Sequence, residues 1–324
     1  MDGKHQDNEH EPATLGERIE RSVGKLCGPL EWTLDTGVCR TRSAPFPARH
    51  KVVDCIEELR GVLFPGFYGF REFNSGNMAF HVGSVLDRVI RTLEWEIGQA
   101  VRFVDGWQYE KEYAKAGTER SIVEGFVDAL PDVRRKLVGD AQACFEWDPA
   151  AFIPEAPIFC YPNMRAMMDY RLAHELYIRG VPFLPRIITE HAHNQTGIDI
   201  HPGAEIGENF FIDHGTGVVI GQTAIIGDRI RLYQGVTLGA LRFPLDAETQ
   251  RPIKGIPRHP IVEDDVVIYA ESTVLGRITI GRGSIIGANV FLAKSIPPES
   301  KVFSAPVRVG ALTKEDKRDG AGGG

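Results

Sequence analysis

The sequence predicts an α+β chain in which an N-terminal α-helical domain is followed by a parallel β-helix of hexapeptide repeats. Two periodicities and one composition anomaly carry this prediction. Before residue 197 the apolar positions recur at helical spacing: Val82, Val85, Leu86, Val89, Leu93 and Ile97 keep the i, i+3, i+4, i+7 pattern of one buried face. From residue 198 the period becomes six. Ile200, Ile206, Ile212, Val218, Ala224, Ile230 and Val236 form one aliphatic file, and Val262, Ile268, Val274, Ile280, Ile286 and Leu292 form a second. The anomaly is glycine, 35 of 324 residues beside 20 prolines, often directly after an aliphatic residue as in Ile206-Gly207, Ile226-Gly227, Ile280-Gly281 and Ile286-Gly287.

Taken in order, residues 1–48 begin polar and acidic. They continue with Gly, Pro, Ser and Thr, including Cys27-Gly28-Pro29 and Ala44-Pro45-Phe46-Pro47, which predicts a mobile arm with at most short helices. Residues 49–197 form the helical domain, with helices expected over 52–63, through the Val82–Ile97 face, over 122–145 and over 164–178, the last stopped by Gly180 and Pro182. Arg171, His174 and Glu175 on that last helix read as a packed or solvated surface, and His191 and His193 also read as structural. Residues 198–309 form the β-helix. Three short strands and three tight turns make one coil of about 18 residues, each aliphatic points to the axis, and glycine permits positive φ at the turns. Successive coils stack at about 4.8 Å. The gap between the two files is not a multiple of six, so residues 241–257 are expected to loop out. Residues 310–324, ending Gly322-Gly323-Gly324, read as a flexible tail.

Composition narrows the function classes. Lys plus Arg is 37 against 44 for Asp plus Glu, a net charge of −7, with 43% apolar and 25% charged residues. This is a core-forming chain without the broad basic footprint of a nucleic-acid or anionic-membrane binder. The five cysteines are scattered, odd in number and without CxxC spacing, which points to neither a disulfide framework nor a zinc knuckle. No apolar stretch approaches the roughly 20 residues of a transmembrane helix. The polar segment from Met1 to Glu11 lacks the apolar core of a secretory signal, so a cytoplasmic location is expected.

Chemistry is expected where residues break the aliphatic and glycine pattern. These places are Asp199 and His201 in Ile198-Asp199-Ile200-His201-Pro202-Gly203, Asp213 and His214 in Phe211-Ile212-Asp213-His214-Gly215-Thr216-Gly217, and Arg258-His259-Pro260 after the excluded loop. With Tyr233-Gln234-Gly235-Val236-Thr237-Leu238-Gly239 between them, these segments resemble the serine O-acetyltransferase family of hexapeptide-repeat acyltransferases, over about residues 145–309. The resemblance implies a left-handed coil, against the usual preference for right-handed parallel crossovers.

It also implies a reaction, the transfer of acetyl from acetyl-CoA to the hydroxyl of L-serine in cysteine biosynthesis. A serine hydroxyl is a weak nucleophile and needs a base. By resemblance that base is His214, with Asp199 fixing its tautomer. Arg258 and His259 then serve the substrate carboxylate, while Asp213 and Asp148, the latter in Trp147-Asp148-Pro149-Ala150, serve its ammonium group. Gly239, Ala240, Ala270 and Lys294 line the acetyl-CoA channel by the same resemblance, and no metal is implied. His201 reads as structural.

The resemblance further implies a homotrimer or a dimer of trimers, with sites between adjacent β-helices. Many relatives insert a terminal isoleucine into O-acetylserine sulfhydrylase; this chain ends in glycine, so that complex is not expected. Two alternatives keep the β-helix. One is a hexapeptide acyltransferase for another amino acid or a sugar. The other is a γ-carbonic-anhydrase-like zinc enzyme, for which His201, His214 and His259 supply the three ligands.

Overall fold

The computed structural model describes residues 14–26, 46–69, 76–104 and 117–304. The remainder of the 1–48 arm, with Cys27 and Cys39, and the whole 310–324 tail lie outside the described residues. The chain divides into two compact units, Met1–Pro45 and Phe46–Gly324. In the first, helix α1 (Leu15–Leu26) starts on a reciprocal cap. The Thr14 hydroxyl accepts from the Glu17 amide at 3.4 Å, and the Glu17 carboxylate accepts from the Thr14 amide at 2.8 Å. Leu15, Ile19, Val23 and Leu26 form an exposed apolar stripe along it.

The second unit begins with helices α2 (Arg49–Leu63), α3 (Met78–Val104), α4 (Glu119–Trp147), α5 (Ala156–Cys160), α6 (Pro162–Ile178) and α7 (Leu184–Thr196). On α3 the predicted face is the buried one. Val85, Val89, Leu93 and Ile97 are at most 5% exposed, with Val82 and Leu86 half-buried at its margin. Helix α7 stops at Gly197, whose φ of 71° is the left-handed conformation that glycine adopts without penalty. Ile198 then enters a left-handed parallel β-helix.

Three parallel sheets form its sides. The first stacks β1 (Asp199–Ile200), β4 (Val219–Ile220), β7 (Thr237–Gly239), β10 (Thr273–Leu275) and β13 (Phe291–Leu292). The second stacks β2 (Glu205–Ile206), β5 (Ile225–Ile226), β8 (Ile261–Val262) and β11 (Thr279–Ile280). The third stacks β3 (Phe211–Ile212), β6 (Arg231–Leu232), β9 (Val267–Ile268), β12 (Ile285–Ile286) and β14 (Lys301–Val302).

The register corrects the first aliphatic file. Ile200 stacks on Ile220, twenty positions on, whereas Ile220 stacks on Leu238, eighteen on. Ile206 likewise stacks on Ile226 and Ile212 on Leu232, so the two additional residues lie in the bend between β3 and β4. Val218, Ala224, Ile230 and Val236 belong to a second inward column, two residues ahead of each aliphatic, and all are fully buried. Each side of the coil therefore has two inward positions. A two-residue insertion moves a six-residue count from one column to the other without breaking it, which hid the insertion from the sequence. In the true frame the chain passes from Leu238 to Val262, a multiple of six, and the intervening residues leave the prism while Leu238 and Val262 stay in register with their neighbours. That excursion is a small hairpin, closed by the Leu245–Pro252 bridge and an Asp246 carboxylate that accepts from the Glu248 and Thr249 amides.

Helix α6 fastens the helices to the first coil. Arg171 donates to both oxygens of Asp140, at 2.7 and 2.9 Å, and to the Gly207 carbonyl at 2.8 Å. Asp140 also accepts from the Phe210 amide at 3.0 Å. Nearby, the Tyr170 hydroxyl donates to the Ala204 carbonyl at 2.6 Å, and the His174 ring meets the Pro202 carbonyl at 2.8 Å. The Arg171 and His174 cluster is thus a packed surface. Because Arg171 and Asp140 are both buried, Asp140→Ala strands a charge and is expected to destabilise the fold by about 3–5 kcal/mol, with much of the loss recovered by adding Arg171→Met. Denaturant titration of the single and double variants checks this.

Candidate active site

The site residues predicted from sequence fall into two groups at two different bends of the prism. The first bend leads from the third sheet to the first and contains the two added residues. Here His214 adopts a φ of 56°, and Gly215 and Gly217 follow at 92° and 78°. Three left-handed residues in so short a span turn the chain outward, leaving the His214 side chain 74% exposed. Glycine suits position 215, because its φ of 92° is one that other residues rarely adopt and a Cβ would lie 2.4 Å from Ile198 Cδ1. Asn163, at the start of α6, fixes the bend from behind by donating to the Ile212 carbonyl at 2.7 Å.

Asp213 Oδ1 stands 3.7 Å from His214 Nε2. Asp148 follows the last residue of α4; one oxygen accepts from the Ala150 amide at 2.8 Å and the other from the Tyr161 hydroxyl. Burial and the adjacent Asp148 charge push the Tyr161 phenol up to about 12, and Asp213 acts on it in the same sense. Tyr161 thus feels the charges of both Asp148, at the end of α4, and Asp213, which stands beside His214. Asp199 lies on β1 and pairs with Arg186 at 3.7 Å rather than with His214.

The second bend leads from the first sheet to the second. His259 is buried there and its Nδ1 accepts from the Thr223 amide at 3.1 Å. The Thr223 hydroxyl accepts from the Arg258 amide at 2.9 Å and the His259 amide at 3.2 Å, and Arg277 donates to the His259 carbonyl at 3.1 Å. Two coils below, His201 Nδ1 accepts from the Gly203 amide at 3.0 Å. Both rings therefore carry their proton on Nε2. Burial, followed by the positive charges around them, pushes each down to about 4. Their neutral forms are favoured in the fold. The associated stability is complete above the ordinary imidazole range and is lost as pH falls toward about 4. With the Arg258 guanidinium beside them, this bend presents hydrogen-bond donors and positive charge, the complement of a carboxylate.

The His259 ring packs against Gly221, where a Cβ would be 2.0 Å from it. Gly221→Ala is therefore expected to expel the imidazole and raise the KM for a carboxylate substrate by about tenfold or more while the coil persists. Steady-state kinetics together with circular dichroism check this.

The four residues expected along a cofactor channel are divided between the same bends. Gly239 and Ala240 stand where the chain leaves β7 for the excursion, and exposed Lys294 lies in the corresponding bend after β13. Ala270 sits at the other bend, next to Tyr269, whose ring stacks on Tyr233 at 4.9 Å. The histidines of the zinc alternative are split likewise, and among the described residues no group of three ligating side chains is placed to hold a metal. Tyr161, Asn163, Thr223 and Arg277 were not found from sequence; each acts through a contact with residues distant in the chain, for which a single sequence carries no signal.

Comparison with known proteins decides the class. The family model for bacterial transferase hexapeptide (six repeats) matches residues 259–294. The plasmid serine acetyltransferase of Synechococcus elongatus is 46% identical over 267 residues, covering 82% of this chain and 83% of that protein. The chain belongs to the serine acetyltransferase family. It is an acyltransferase, which selects that chemistry over the zinc reading. The serine acetyltransferase of Mycobacterium tuberculosis is 47% identical over 171 residues, 53% of this chain and 70% of its own length. Among solved structures, serine acetyltransferase 1 of Entamoeba histolytica in complex with L-cysteine is similar with a TM-score of 0.65 at 36% identity, covering 77% of this chain and 86% of that one. As the sequence predicts, this member of the serine acetyltransferase family joins a helical region to the hexapeptide coil, and no described helix is long and apolar enough to cross a membrane.

Proposed function

We propose that the chain transfers an acetyl group from acetyl-CoA to the hydroxyl of L-serine, giving O-acetylserine and CoA, in the cytoplasm. The observation that carries the reading is the complementary chemistry of the two bends. One offers an exposed imidazole beside Asp213, with Asp148 acting on the same Tyr161, and the other offers the Arg258 guanidinium and the ring N–H of His259. A serine zwitterion fits between them, its ammonium group toward the acids and its carboxylate toward Arg258 and His259.

His214 takes the hydroxyl proton as the oxygen attacks the thioester carbonyl. Collapse of the tetrahedral intermediate expels the CoA sulfur, which takes the proton back from the imidazolium. Asp199 orients the imidazole on this reading, which requires its carboxylate to exchange Arg186 for His214. Gly239, Ala240, Ala270 and Lys294 hold the CoA arm. The accompanying domain division sets 49–197 as the helical domain and 198–309 as the catalytic β-helix, between the arm and the tail.

Because the two bends flank the first sheet from opposite edges, we place the complete site between two copies in a homotrimer, or a dimer of trimers, with one bend from each copy. A thiol-release assay with acetyl-CoA and L-serine, homoserine or an amino sugar tests the reaction. Release with serine supports the reading; release only with another acceptor keeps the acyltransferase and rejects serine. Asp148→Ala is expected to raise the KM for serine by about tenfold with little change in kcat, since it removes ground-state binding of the ammonium group. Initial rates at varied serine concentration decide it.

A further inference from the structure

The Arg258 guanidinium has a fixed direction and, among the described residues, no counter-charge. Among the described residues no carboxylate lies within ion-pair distance; Nη2 donates to Gln222 Oε1 at 2.9 Å and Nη1 to the Ile256 carbonyl at 3.3 Å. Gln222 Nε2 donates in turn to the Tyr177 hydroxyl at 3.0 Å. This amide has one consistent orientation, because a guanidinium only donates and so the amide oxygen must face it. Tyr177 belongs to α6, the helix that Arg171, Tyr170 and His174 fasten to the first coil. Its ring packs against Gly203, where a Cβ would lie 2.8 Å from the ring carbon Cζ, and stands edge-on to His201 at 5.8 Å.

We propose that Gln222 and Tyr177 are positioning residues that aim Arg258 at the carboxylate of the acceptor amino acid without touching it, so that the helical domain helps set acceptor affinity. The inference rests on the carboxylate-binding reading of Arg258 given above. A neutral amide suits this role, because it fixes the direction of the guanidinium and leaves its charge for the substrate. The phenol fixes the amide in turn, and its place on a locked helix carries the rigidity of the helical core to a bend that otherwise ends in an exposed excursion.

Steady-state kinetics with acetyl-CoA and L-serine on Gln222→Leu, Tyr177→Phe and Arg258→Ala test it. Gln222→Leu is expected to raise the KM for serine about tenfold, with kcat within about twofold and the KM for acetyl-CoA unchanged. Tyr177→Phe shifts the same constant about threefold, and adds nothing once Gln222 is Leu or Arg258 is Ala. A merely structural role would instead lower kcat and the melting temperature without the selective rise in KM, and that pattern overturns the proposal. If Arg258→Ala leaves the KM for serine unchanged, the carboxylate reading fails and the inference falls with it. If Arg258→Ala raises the KM while neither Gln222→Leu nor Tyr177→Phe does, the positioning role alone is rejected. Should Gln222→Leu fail to fold, Tyr177→Phe, which removes one hydroxyl, decides by the same readout.

Discussion

Replacing His214 with alanine is expected to lower kcat for acetyl transfer to serine by about 10²- to 10⁴-fold, the usual contribution of a general base. The fold should be unaffected, because the side chain is 74% exposed and its polar contact is the 3.7 Å approach to Asp213. Thiol release measures the loss, and an unchanged thermal melt separates it from unfolding. A kcat still above about a tenth of the wild type would remove His214 from the role of base. Asp199→Asn and Asp213→Asn extend the test. The carboxylate that orients the imidazole should reduce kcat and shift the pH profile, whereas one that binds the ammonium group should chiefly raise KM.

The second large effect is complementation. His214→Ala, slow in kcat, and Arg258→Ala, weak in serine binding, are each nearly inactive at serine concentrations far below the raised KM, and there they should regain activity when denatured together and refolded as mixed assemblies of the proposed trimer. If every site takes the His214 bend from one copy and the Arg258 bend from the next, random assembly of equal amounts leaves about a quarter of the sites with both. The mixture should then approach about a quarter of wild-type turnover. Sites contained within single chains would give no recovery, and that result would reject the intersubunit site. The expectation follows from placement: the residues from Asp213 to Val218 connect the third sheet to the first, while Arg258 and His259 connect the first to the second.

Much of this architecture was legible in the sequence because it is written in local periods. The face of α3 and the inward aliphatics of the later coils needed only spacing, and the glycines marked turns. The frame at the first coil was not legible, since Val218, Ala224, Ile230 and Val236 are as apolar and as buried as the ladder beside them. The motifs that pointed to Asp199, Asp213, His214, Arg258 and His259 were visible as interruptions of a regular pattern. Their surroundings were not. That Thr223 fixes the His259 ring or that Tyr161 donates to Asp148 depends on elements that meet only after the coil closes and the helices dock. The division of the predicted residues between two bends is likewise a property of topology, since sequence order alone places Asp213 and Arg258 in a single succession of motifs.

The two residues added between β3 and β4 have a consequence for reading other chains of this kind. A perfect hexad count across the DHGTG segment conceals the insertion, since the counted column has changed from the ladder to its companion. A phase slip of two, found by tracking both inward columns separately, therefore flags where a coil has been opened to project a side chain. In a solenoid built of repeating turns, that slip is a searchable mark of an opened bend, and it requires no knowledge of which residue the bend presents.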